Sequence, residues 1–338
     1  MLLLVRVTTR CNLACGFCAY DRRLPMPRTT LGDAQIERLI ALLRDWQQRR
    51  RPQPAAMLSW LGGEPLRWPR WRHYSALARA SGLRVSATSN GSTLWRPAER
   101  AAVLASLDEL TLSVDAVGAA HDALRGWRGG YRRILEAITA LRSARELGSG
   151  TLKLRANVVL MRSHIANFAA LAQALAEAGI DEISCNLLGG RDRPEFHALE
   201  RVSAGALQQF CAELPALRAR LALRGVELLG GERYWARQLD HAQGYARPVA
   251  DCAPGQDFVF CDEYARLSPC AFTGAEYGVD LAQIEALEDL PARFQRARLQ
   301  QRAPACADCP STQVFGKFAC DVDLRASAAQ AAQRPLTA

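Results

Sequence analysis

Residues 9–18 have the sequence TRCNLACGFC, in which Cys11, Cys15 and Cys18 follow the spacing C-x3-C-x2-C. Three thiolates on one tight loop can hold three irons of a [4Fe–4S] cube, and the fourth iron then has no protein ligand. An iron with an open position can bind a substrate or cofactor, much as a catalytic zinc keeps one position free. A closed structural site would need a fourth Cys or His nearby, and the first histidine of the chain is His73. The spacing therefore favours an open-iron cluster over a loop of free or metal-scavenging thiols.

Length and cysteine usage set limits on the class of protein. The chain has 338 residues, 49% of them hydrophobic, which is enough for one barrel-sized domain and a smaller module. No apolar run approaches the roughly 18 residues of a membrane span, and Met1–Arg6 is too short for a signal peptide. Eleven cysteines without an export signal favour metal binding over disulfides and predict a reducing cytoplasm.

The formal net charge is +9, and nearly all cationic residues are arginines, with lysine only at Lys153 and Lys317. Arginine blocks such as Arg49-Arg50-Arg51 can contact nucleic acid or acidic partners. No basic stripe interleaved with aromatic residues is visible, so the sequence does not favour nucleic-acid binding. We interpret the blocks as solvated surface.

The first two-thirds of the chain alternate short apolar runs with helical patterns such as Ala34–Gln48, Ile134–Leu147 and Ile165–Ala178. This alternation is typical of strand–helix units and a parallel sheet, in which functional residues gather at the carboxyl ends of the strands. We predict six strands: Leu2–Val7, Met57–Trp60, Leu83–Ala87, Leu110–Val114, Leu152–Leu160 and Glu182–Leu187. The cysteine loop follows the first strand, and Gly62-Gly63-Glu64-Pro65 follows the second.

Together these motifs resemble the radical S-adenosylmethionine (SAM) enzymes, whose hallmark is the C-x3-C-x2-C loop and whose fold is a partial (β/α)6 barrel. The resemblance implies an α/β fold and a [4Fe–4S] cluster whose open iron binds the amino and carboxylate groups of SAM. An electron from that cluster then cleaves SAM to methionine and a 5′-deoxyadenosyl radical.

The resemblance also assigns site residues. Phe17 matches the position beside the adenine, and the Gly62, Gly63, Glu64 turn matches the motif that holds the SAM amino group, where a carboxylate can bind an ammonium. Further candidates for binding SAM are Asn90 in a Thr-Asn-Gly-like turn, Ser113 near the ribose or carboxylate, and Asn157 on the fifth strand. Candidates for catalysis are Asp115, Arg155 meeting the SAM carboxylate at the barrel mouth, and Cys185 as a hydrogen-atom donor, although a buried thiol is more often core filler.

The run His121-Asp122-x-x-Arg125-Gly126 also recurs in this branch of the family. It can belong to the site, or it can be a surface loop that caps the next helix.

A second cysteine set lies in the last quarter of the chain. The sequence from Cys252 to Cys270 predicts a β-hairpin that brings two thiols together, and Cys306 and Cys309 add a C-x2-C knuckle. Such a set completes either a four-cysteine zinc site or a [4Fe–4S] cluster. The region resembles the auxiliary-cluster modules of the SPASM and twitch subfamilies, which implies one auxiliary [4Fe–4S] cluster on these four cysteines. Two further thiols, Cys261 in the hairpin strand and Cys320, fall outside this ligand set.

The predicted organisation is a radical SAM partial barrel at 1–200, a helical connector at 201–250, a Cys-rich α+β auxiliary module at 251–325 and a disordered tail at 326–338. The resemblance implies an oxidative enzyme acting on a peptide or amino-acid-derived precursor. A small-molecule (aminocyclitol or sugar) dehydrogenase and an epimerase with a Cys donor are alternatives, and a non-catalytic iron–sulfur or zinc scaffold is a further one. Implied partners are a flavodoxin- or ferredoxin-type electron donor and a possible separate peptide-binding protein, with no nucleic acid and no membrane.

Overall fold

A ten-stranded sheet organises residues 1–148, 150–246, 248 and 251–309, which are the residues that the computed structural model describes. Its strands are β1 (Leu2–Thr8), β2 (Met57–Gly62), β3 (Arg84–Ser89), β4 (Glu109–Ser113), β5 (Lys153–Leu160), β6 (Glu182–Leu187), β7 (Glu227–Leu228), β8 (Phe258–Cys261), β9 (Arg266–Ser268) and β10 (Val279–Asp280). They lie in the order β10-β9-β8-β1-β2-β3-β4-β5-β6-β7.

Helices follow the parallel strands in sequence. They are α1 (Asp33–Arg50), α2 (Trp71–Ala80), α3 (Pro97–Ser106), α4 (Ala119–Arg125), α5 (Gly130–Leu147), α6 (Phe168–Ala178), α7 (Pro194–Glu200), α8 (Ala204–Ala222), α9 (Glu232–Ala242), α10 (Gly274–Tyr277) and α11 (Leu290–Gln300). Single 3₁₀ turns cover Pro65–Arg67, Ile165–Asn167, Leu281–Gln283, Leu287–Asp289 and Pro304–Cys306. The six predicted strands are confirmed to within two residues at each end.

Side chains alternate between two faces of the sheet. Residues such as Val5, Leu58 and Val158 are fully buried in the core that packs against the helices. The alternate positions form the face turned away from the helices, here called the inner face, and many are polar. They include Arg6, Ser59, Thr88, Thr111, Ser113, Asn157, Ser184 and Asn186. The apolar positions therefore build the core, and the polar ones are free to line a site.

The C-terminal hairpin continues the barrel sheet. Strand β8 pairs in parallel with β1, with Val5 opposite Cys261, and β9 pairs antiparallel with β8. At the other edge, β7 pairs in parallel with β6. The boundaries proposed for a barrel, a connector and a module remain predictions, since one sheet runs through all three segments. Cys320 and the tail at 326–338 lie outside the described residues.

Candidate functional site

The cysteine loop begins directly after β1 and is fixed by one arginine. Two atoms of the Arg28 guanidinium donate to four carbonyl oxygens: Nη1 to Thr9 (3.0 Å) and Tyr20 (3.2 Å), and Nη2 to Asp21 (2.6 Å) and Leu24 (3.2 Å). A buried guanidinium can satisfy several carbonyls at once because its donors form a rigid fork. The residue was not singled out from the sequence, because nothing in its neighbourhood marks an arginine that will fold back on its own loop.

Amide donors point at the sulfur atoms of the loop. The backbone N–H of Leu13 lies 3.5 Å from Cys11 Sγ, and that of Tyr20 lies 3.3 Å from Cys18 Sγ. Asn90 Nδ2 lies 3.7 Å from Cys11 Sγ. Burial raises the pKa of the Cys11 and Cys18 thiols and raises that of Cys15 to about 12. The donors favour the thiolate form against this burial, as hydrogen bonds to sulfur do in iron–sulfur sites.

Glycine is required at positions 62 and 63, at the end of β2, because the backbone there lies very close to the cysteine loop. A Cβ on Gly62 would lie 2.2 Å from the carbonyl oxygen of Thr8, and one on Gly63 would lie 2.3 Å from that of Arg10. The Gly63 N–H donates to Thr8 O at 2.7 Å, and the Glu64 N–H donates to Arg10 O at 2.9 Å. These positions therefore join β2 to the start of the cysteine loop, where any side chain would collide with backbone.

The Glu64 carboxylate ties the carboxyl ends of β2 and β3 together. It is fully buried and accepts from Ser89 Oγ (2.8 Å), the Asn90 N–H (2.6 Å) and the Leu66 N–H (3.0 Å). Burial raises the pKa of the carboxyl to about 7, although these three donors oppose the shift. A carboxylate offers about four acceptor positions, so about one remains for a ligand. The contact of Glu64 with an ammonium group stays a prediction.

A buried ion pair lies against the same loop. Arg125 Nε donates to Asp115 Oδ2 at 2.7 Å, and its guanidinium carbon lies 5.3 Å from the centre of the Phe17 ring. The Ala14 N–H donates to the Arg125 carbonyl at 3.3 Å. Two roles therefore coexist in the run from His121 to Gly126: Arg125 lies against the cysteine loop, while Asp122 accepts from the N–H groups of Gly129 and Tyr131 and so caps α5, as the alternative predicted. The spacing of the run was visible in the sequence, but only the structure shows its contact with the loop.

The inner face near the carboxyl ends of the strands is polar. Asn157 Oδ1 accepts from Ser184 Oγ at 2.9 Å and from Asn186 Nδ2 at 2.8 Å. Ser113 lies beside Asn157 in the β4–β5 register. Ser113 and Asn157 therefore share this face, as expected from alternation, while Asp115 and Asn90 lie nearer the loop. Binding of SAM by these residues remains a prediction.

The expectation that Arg155 faces the barrel mouth is wrong. It lies at the amino end of the inner face, where it pairs with Glu182 (2.6 Å) and approaches Glu109 (3.5 Å). Both carboxylates belong to the first residues of their strands, and Arg84 also pairs with Glu109 at 2.6 Å. Alternation predicted the correct face, but it could not tell which end of the barrel held the partners.

The structure also contradicts the prediction that Cys185 is a hydrogen-atom donor at the site. Its neighbours Ser184 and Asn186 reach Asn157 on the inner face, so Cys185 points the other way, into the helix-packed core, where it is fully buried. Cys261 is likewise fully buried in that core and lies opposite Val5. Both thiols act as small apolar side chains.

The segment after β6 covers the cysteine loop. The Phe196 ring lies 6.1 Å from that of Phe17, and Arg193 Nη1 is 3.5 Å from the Cys18 carbonyl oxygen. The Arg191 guanidinium lies 3.9 Å from the centre of the Phe272 ring in the C-terminal part. This charged stretch therefore links the two cysteine regions.

Three of the four C-terminal cysteines lie near one another. The charges of Cys270 and Cys306 both act on Cys252, whose pKa is raised mainly by burial. Cys270 Sγ lies 3.3 Å from Thr273 Oγ1, and the Cys309 carbonyl accepts from Arg237 Nε at 3.2 Å. Cys309 is three residues after Cys306 and is buried. The arrangement is compatible with a shared ligand set, and the auxiliary cluster remains a proposal.

A cleft of about 540 Å³ opens beside Cys11. Its walls carry the guanidinium groups of Arg10, Arg22, Arg28 and Arg67 together with Trp68. Arg10, Arg22 and Arg67 are exposed, and their side chains make no ion pair within the described part of the chain. The cleft therefore presents positive charge next to a cysteine of the loop.

The cysteine loop fits a cluster better than a single ion. Among the described residues, no group of three or more His, Cys, Asp or Glu side chains is arranged to hold one metal ion. A [4Fe–4S] cube gives each thiolate its own iron, so its ligands need not converge on one point. Cys11, Cys15 and Cys18 lie close enough to influence one another's ionisation, and amide donors are directed at two of their sulfurs. These three residues would hold the cluster.

Sequence comparisons find known relatives for the N-terminal part of the chain. Residues 5–154 match the sequence model of the Radical SAM superfamily. GTP 3′,8-cyclase of Mycobacterium ulcerans (strain Agy99) is 34% identical over 167 residues, covering 47% of this chain and 42% of the cyclase. The AdoMet-dependent heme synthase of Methanosarcina barkeri (strain Fusaro / DSM 804) is 22% identical over 289 residues, covering 79% and 75% of the two chains. The chain thus spans less than half the length of the cyclase it matches.

Another relative is the sporulation killing factor maturation protein SkfB of Bacillus subtilis (strain 168), 27% identical over 142 residues that cover 41% of this chain and 32% of SkfB.

Solved structures extend the likeness in fold to nearly the whole chain. Streptococcus suis SuiB bound to its precursor peptide SuiA has a TM-score of 0.63 at 16% identity, covering 96% of this chain and 72% of SuiB. Native anSMEcpe with bound AdoMet has a TM-score of 0.65 at 13% identity, covering 93% and 88%. No helix among the described residues has the length and apolar character to cross a membrane. Residues 5–154 thus match the Radical SAM superfamily, whose members are enzymes, and the likeness in fold to solved structures extends to nearly the whole chain.

Proposed function

We propose that this chain reductively cleaves SAM and uses the resulting 5′-deoxyadenosyl radical to remove a hydrogen atom from a substrate. One observation carries the proposal: three cysteines, two of whose sulfurs receive amide donors, lie at the carboxyl end of β1 beside a polar inner face. When bound, a [4Fe–4S] cluster supplies the electron and an open iron for SAM.

The protein's own residues have separate tasks in this proposal. Phe17 offers an aromatic face next to the loop, and Asn157 and Ser113 offer hydrogen-bonding groups on the inner face for the polar parts of SAM. Glu64 keeps the ends of β2 and β3 together around Cys11 through its bonds to Ser89 and Asn90. The covering segment at Phe196 limits access of water to the loop, which protects a reactive radical from side reactions.

The test is anaerobic reconstitution followed by iron analysis and incubation with SAM and dithionite. We expect about eight irons per chain, and about four after Cys11, Cys15 and Cys18 are replaced by Ala. The intact protein should release 5′-deoxyadenosine and methionine, and the triple variant should release neither. Cys211→Ala is the matched control, because this half-buried thiol on α8 belongs to neither set. Stoichiometric zinc at the C-terminal cysteines would contradict the auxiliary cluster, and intact iron without SAM cleavage would contradict the function.

We infer that the substrate is a peptide or a precursor derived from amino acids, and that the outcome is oxidative, a cross-link or a dehydrogenation. SuiB has been solved with a precursor peptide, anSMEcpe with AdoMet and the Kp18Cys peptide, and SkfB is a maturation protein, which supports this class. Oxidation is supported by the positions of Cys185 and Cys261, which face the core and cannot return a hydrogen atom to a substrate radical. The four C-terminal cysteines could hold the acceptor of the second electron.

A small-molecule substrate is the second candidate. It is favoured by the identity to GTP 3′,8-cyclase and to AdoMet-dependent heme synthase, whose names specify non-peptide products. Incubation with peptides encoded beside the gene for this chain distinguishes a peptide substrate from a small-molecule substrate. Faster 5′-deoxyadenosine release with a peptide that loses a pair of hydrogens supports the first candidate. Uptake of solvent deuterium at a peptide carbon, without net oxidation, would instead show an epimerase.

The electron donor is proposed to be an acidic flavodoxin- or ferredoxin-type protein. Its docking surface would be the cleft beside Cys11, because three exposed arginines there have no acidic partner within the described residues. Opposite charge on two surfaces steers encounter and sets orientation. A reducing cytoplasm is the compartment that such donors and an oxygen-sensitive cluster require.

A further inference from the structure

The ion pair between Arg125 and Asp115 is almost completely buried. Their side chains are 9% and 0% exposed, and Arg125 Nη2 lies 2.6 Å from Asp115 Oδ2. The second carboxylate oxygen, Oδ1, accepts from the Val159 N–H at 3.0 Å. Moving two charges out of water costs several kcal/mol per ion, and the attraction between them seldom returns more than that. Such a pair calls for a reason other than stability.

The guanidinium is held directly against the cysteine loop. Its carbon lies over the Phe17 ring at 5.3 Å, and the carbonyl of the same residue accepts from Ala14 at 3.3 Å. Gly126, with a φ of +60°, comes so close that a Cβ there would lie 3.0 Å from the Ala14 Cβ. The guanidinium therefore packs on the part of the loop that lies between Cys15 and Cys18.

A cation in this position affects an iron–sulfur cluster in a definite direction. One-electron reduction adds one negative charge to the cluster, and a nearby fixed positive charge stabilises the more negative state. Asp115 opposes this effect, but Arg125 is the member of the pair that packs on the loop, through Phe17, whereas the second Asp115 oxygen accepts from Val159 on β5. The cation is therefore the charge of the pair that faces the loop.

We propose that Arg125 is a positioning and charge-tuning residue that raises the reduction potential of the cluster on Cys11, Cys15 and Cys18. Asp115 and Phe17 hold the guanidinium in place, and Asp115 also reduces the cost of burying it. This inference rests on the proposed function, since it presupposes a cluster at these three cysteines.

The test is a redox titration of the reconstituted full chain, followed by electron paramagnetic resonance with and without SAM. Only the cluster with an open iron should change its signal when SAM is added, which separates its potential from that of an auxiliary cluster. Arg125→Gln should make reduction of this cluster less favourable by on the order of tenfold, about 59 mV for one electron. Arg125→Lys keeps the charge, so the potential should stay near that of the wild type.

Two controls keep the result specific. Arg145→Gln removes an arginine that pairs with Asp181 at the amino end of β6, and it should leave the potential unchanged. Arg125→Gln combined with Asp115→Asn removes both charges without leaving a buried carboxylate alone, and it should still give a lower potential.

The outcomes separate cleanly. An unchanged potential in Arg125→Gln with a full iron content would overturn the proposal. Loss of iron from both the single and the double variant would also overturn it, in favour of a purely structural role. A wild-type protein that assembles no cluster would instead contradict the proposed function itself.

Discussion

Single residues decide how closely the cysteine loop and its neighbours can approach. At Gly63 the absence of a side chain is essential, because the Cβ of any other residue would lie within 2.3 Å of the Arg10 carbonyl oxygen. At position 125 a long cationic side chain is needed, because the Arg125 guanidinium is buried against the segment between two of the cysteines. Both positions act on the same loop, one through its backbone and one through its charge.

Gly63→Ala should prevent assembly of the N-terminal cluster. The added methyl group collides with backbone atoms of Arg10 and Cys11 that cannot give way without moving the loop, at a cost on the order of 1–3 kcal/mol. Iron content should fall from about eight to about four per chain, with a lower melting temperature. Gly205→Ala on α8 is the control, because nothing lies within 4 Å of its added Cβ. Unchanged iron in Gly63→Ala would show that the loop adapts.

His121 should make the protein less stable in mild acid. Its ring is buried, its Nδ1 accepts from the Asp115 N–H at 3.2 Å, and burial lowers its pKa to about 4. Between about pH 6.5 and 4 the His121 imidazole is protonated in the unfolded chain but neutral in the native state. The free energy of unfolding therefore falls as the pH decreases, by about 1.4 kcal/mol per pH unit.

Melting temperatures at about pH 7.5 and 5.5 test this expectation, with iron content checked at each. His121→Gln, whose side-chain oxygen can still accept the Asp115 N–H, should lose less stability over this range than the wild type. The exposed His73 provides the control, because its replacement by Gln removes no buried ring. Equal losses in wild type and His121→Gln would contradict the prediction.

At the scale of elements, β8 decides how the C-terminal cysteines meet the barrel. This short strand pairs with β1 in parallel, so the hairpin that leads to Cys270 is anchored to the same strand that leads to Cys11. The pairing also brings Phe260 beneath the Arg6 guanidinium at 4.8 Å, and Arg6 reaches Glu263 at 2.9 Å. The two cysteine regions are therefore held in a fixed relation by backbone hydrogen bonds.

Val259→Pro should disrupt the pairing of β8 with β1. Proline removes a strand N–H and fixes φ, so it interrupts the hydrogen-bonded ladder of a paired strand. We expect iron at the C-terminal site to be lost, leaving about four irons per chain, while SAM cleavage by dithionite-reduced protein persists. Val259→Ala keeps the N–H and loses only buried side-chain atoms, so it should retain both clusters. Loss of SAM cleavage in the Pro variant would show that β1 cannot hold its own loop without β8.

At the scale of the whole molecule, the charge distribution matters more than the net charge of +9. Many arginines form ion pairs, such as Arg49 with Glu288 and Arg145 with Asp181. The exposed arginines of the cleft beside Cys11 form no ion pair with any described residue. Positive potential is therefore concentrated at this cleft, where an electron would enter.

Replacing Arg10, Arg22 and Arg67 by Glu should slow reduction by an acidic flavodoxin on the order of tenfold at low salt, with less effect at high salt. Reduction by dithionite, which needs no docking, should still support SAM cleavage. The control is the same charge change at three exposed arginines on other helices, Arg133, Arg220 and Arg296. Equal slowing in both variants would show that net charge, and not this cleft, governs the encounter.

The sequence by itself determined the parallel sheet, the position of the cysteine loop and the alternation of strand side chains between the helix-packed face and the inner face. These features depend on spacing and periodicity within short segments. Only the tertiary structure decided which end of the barrel Arg155 occupies, which face Cys185 takes and where Arg125 lies. Alternation has a period of two and leaves the choice of face open until neighbouring strands fix the register. The parallel pairing of β8 with β1 was equally hidden, since it joins residues more than 250 positions apart and depends on which sheet edge remains free.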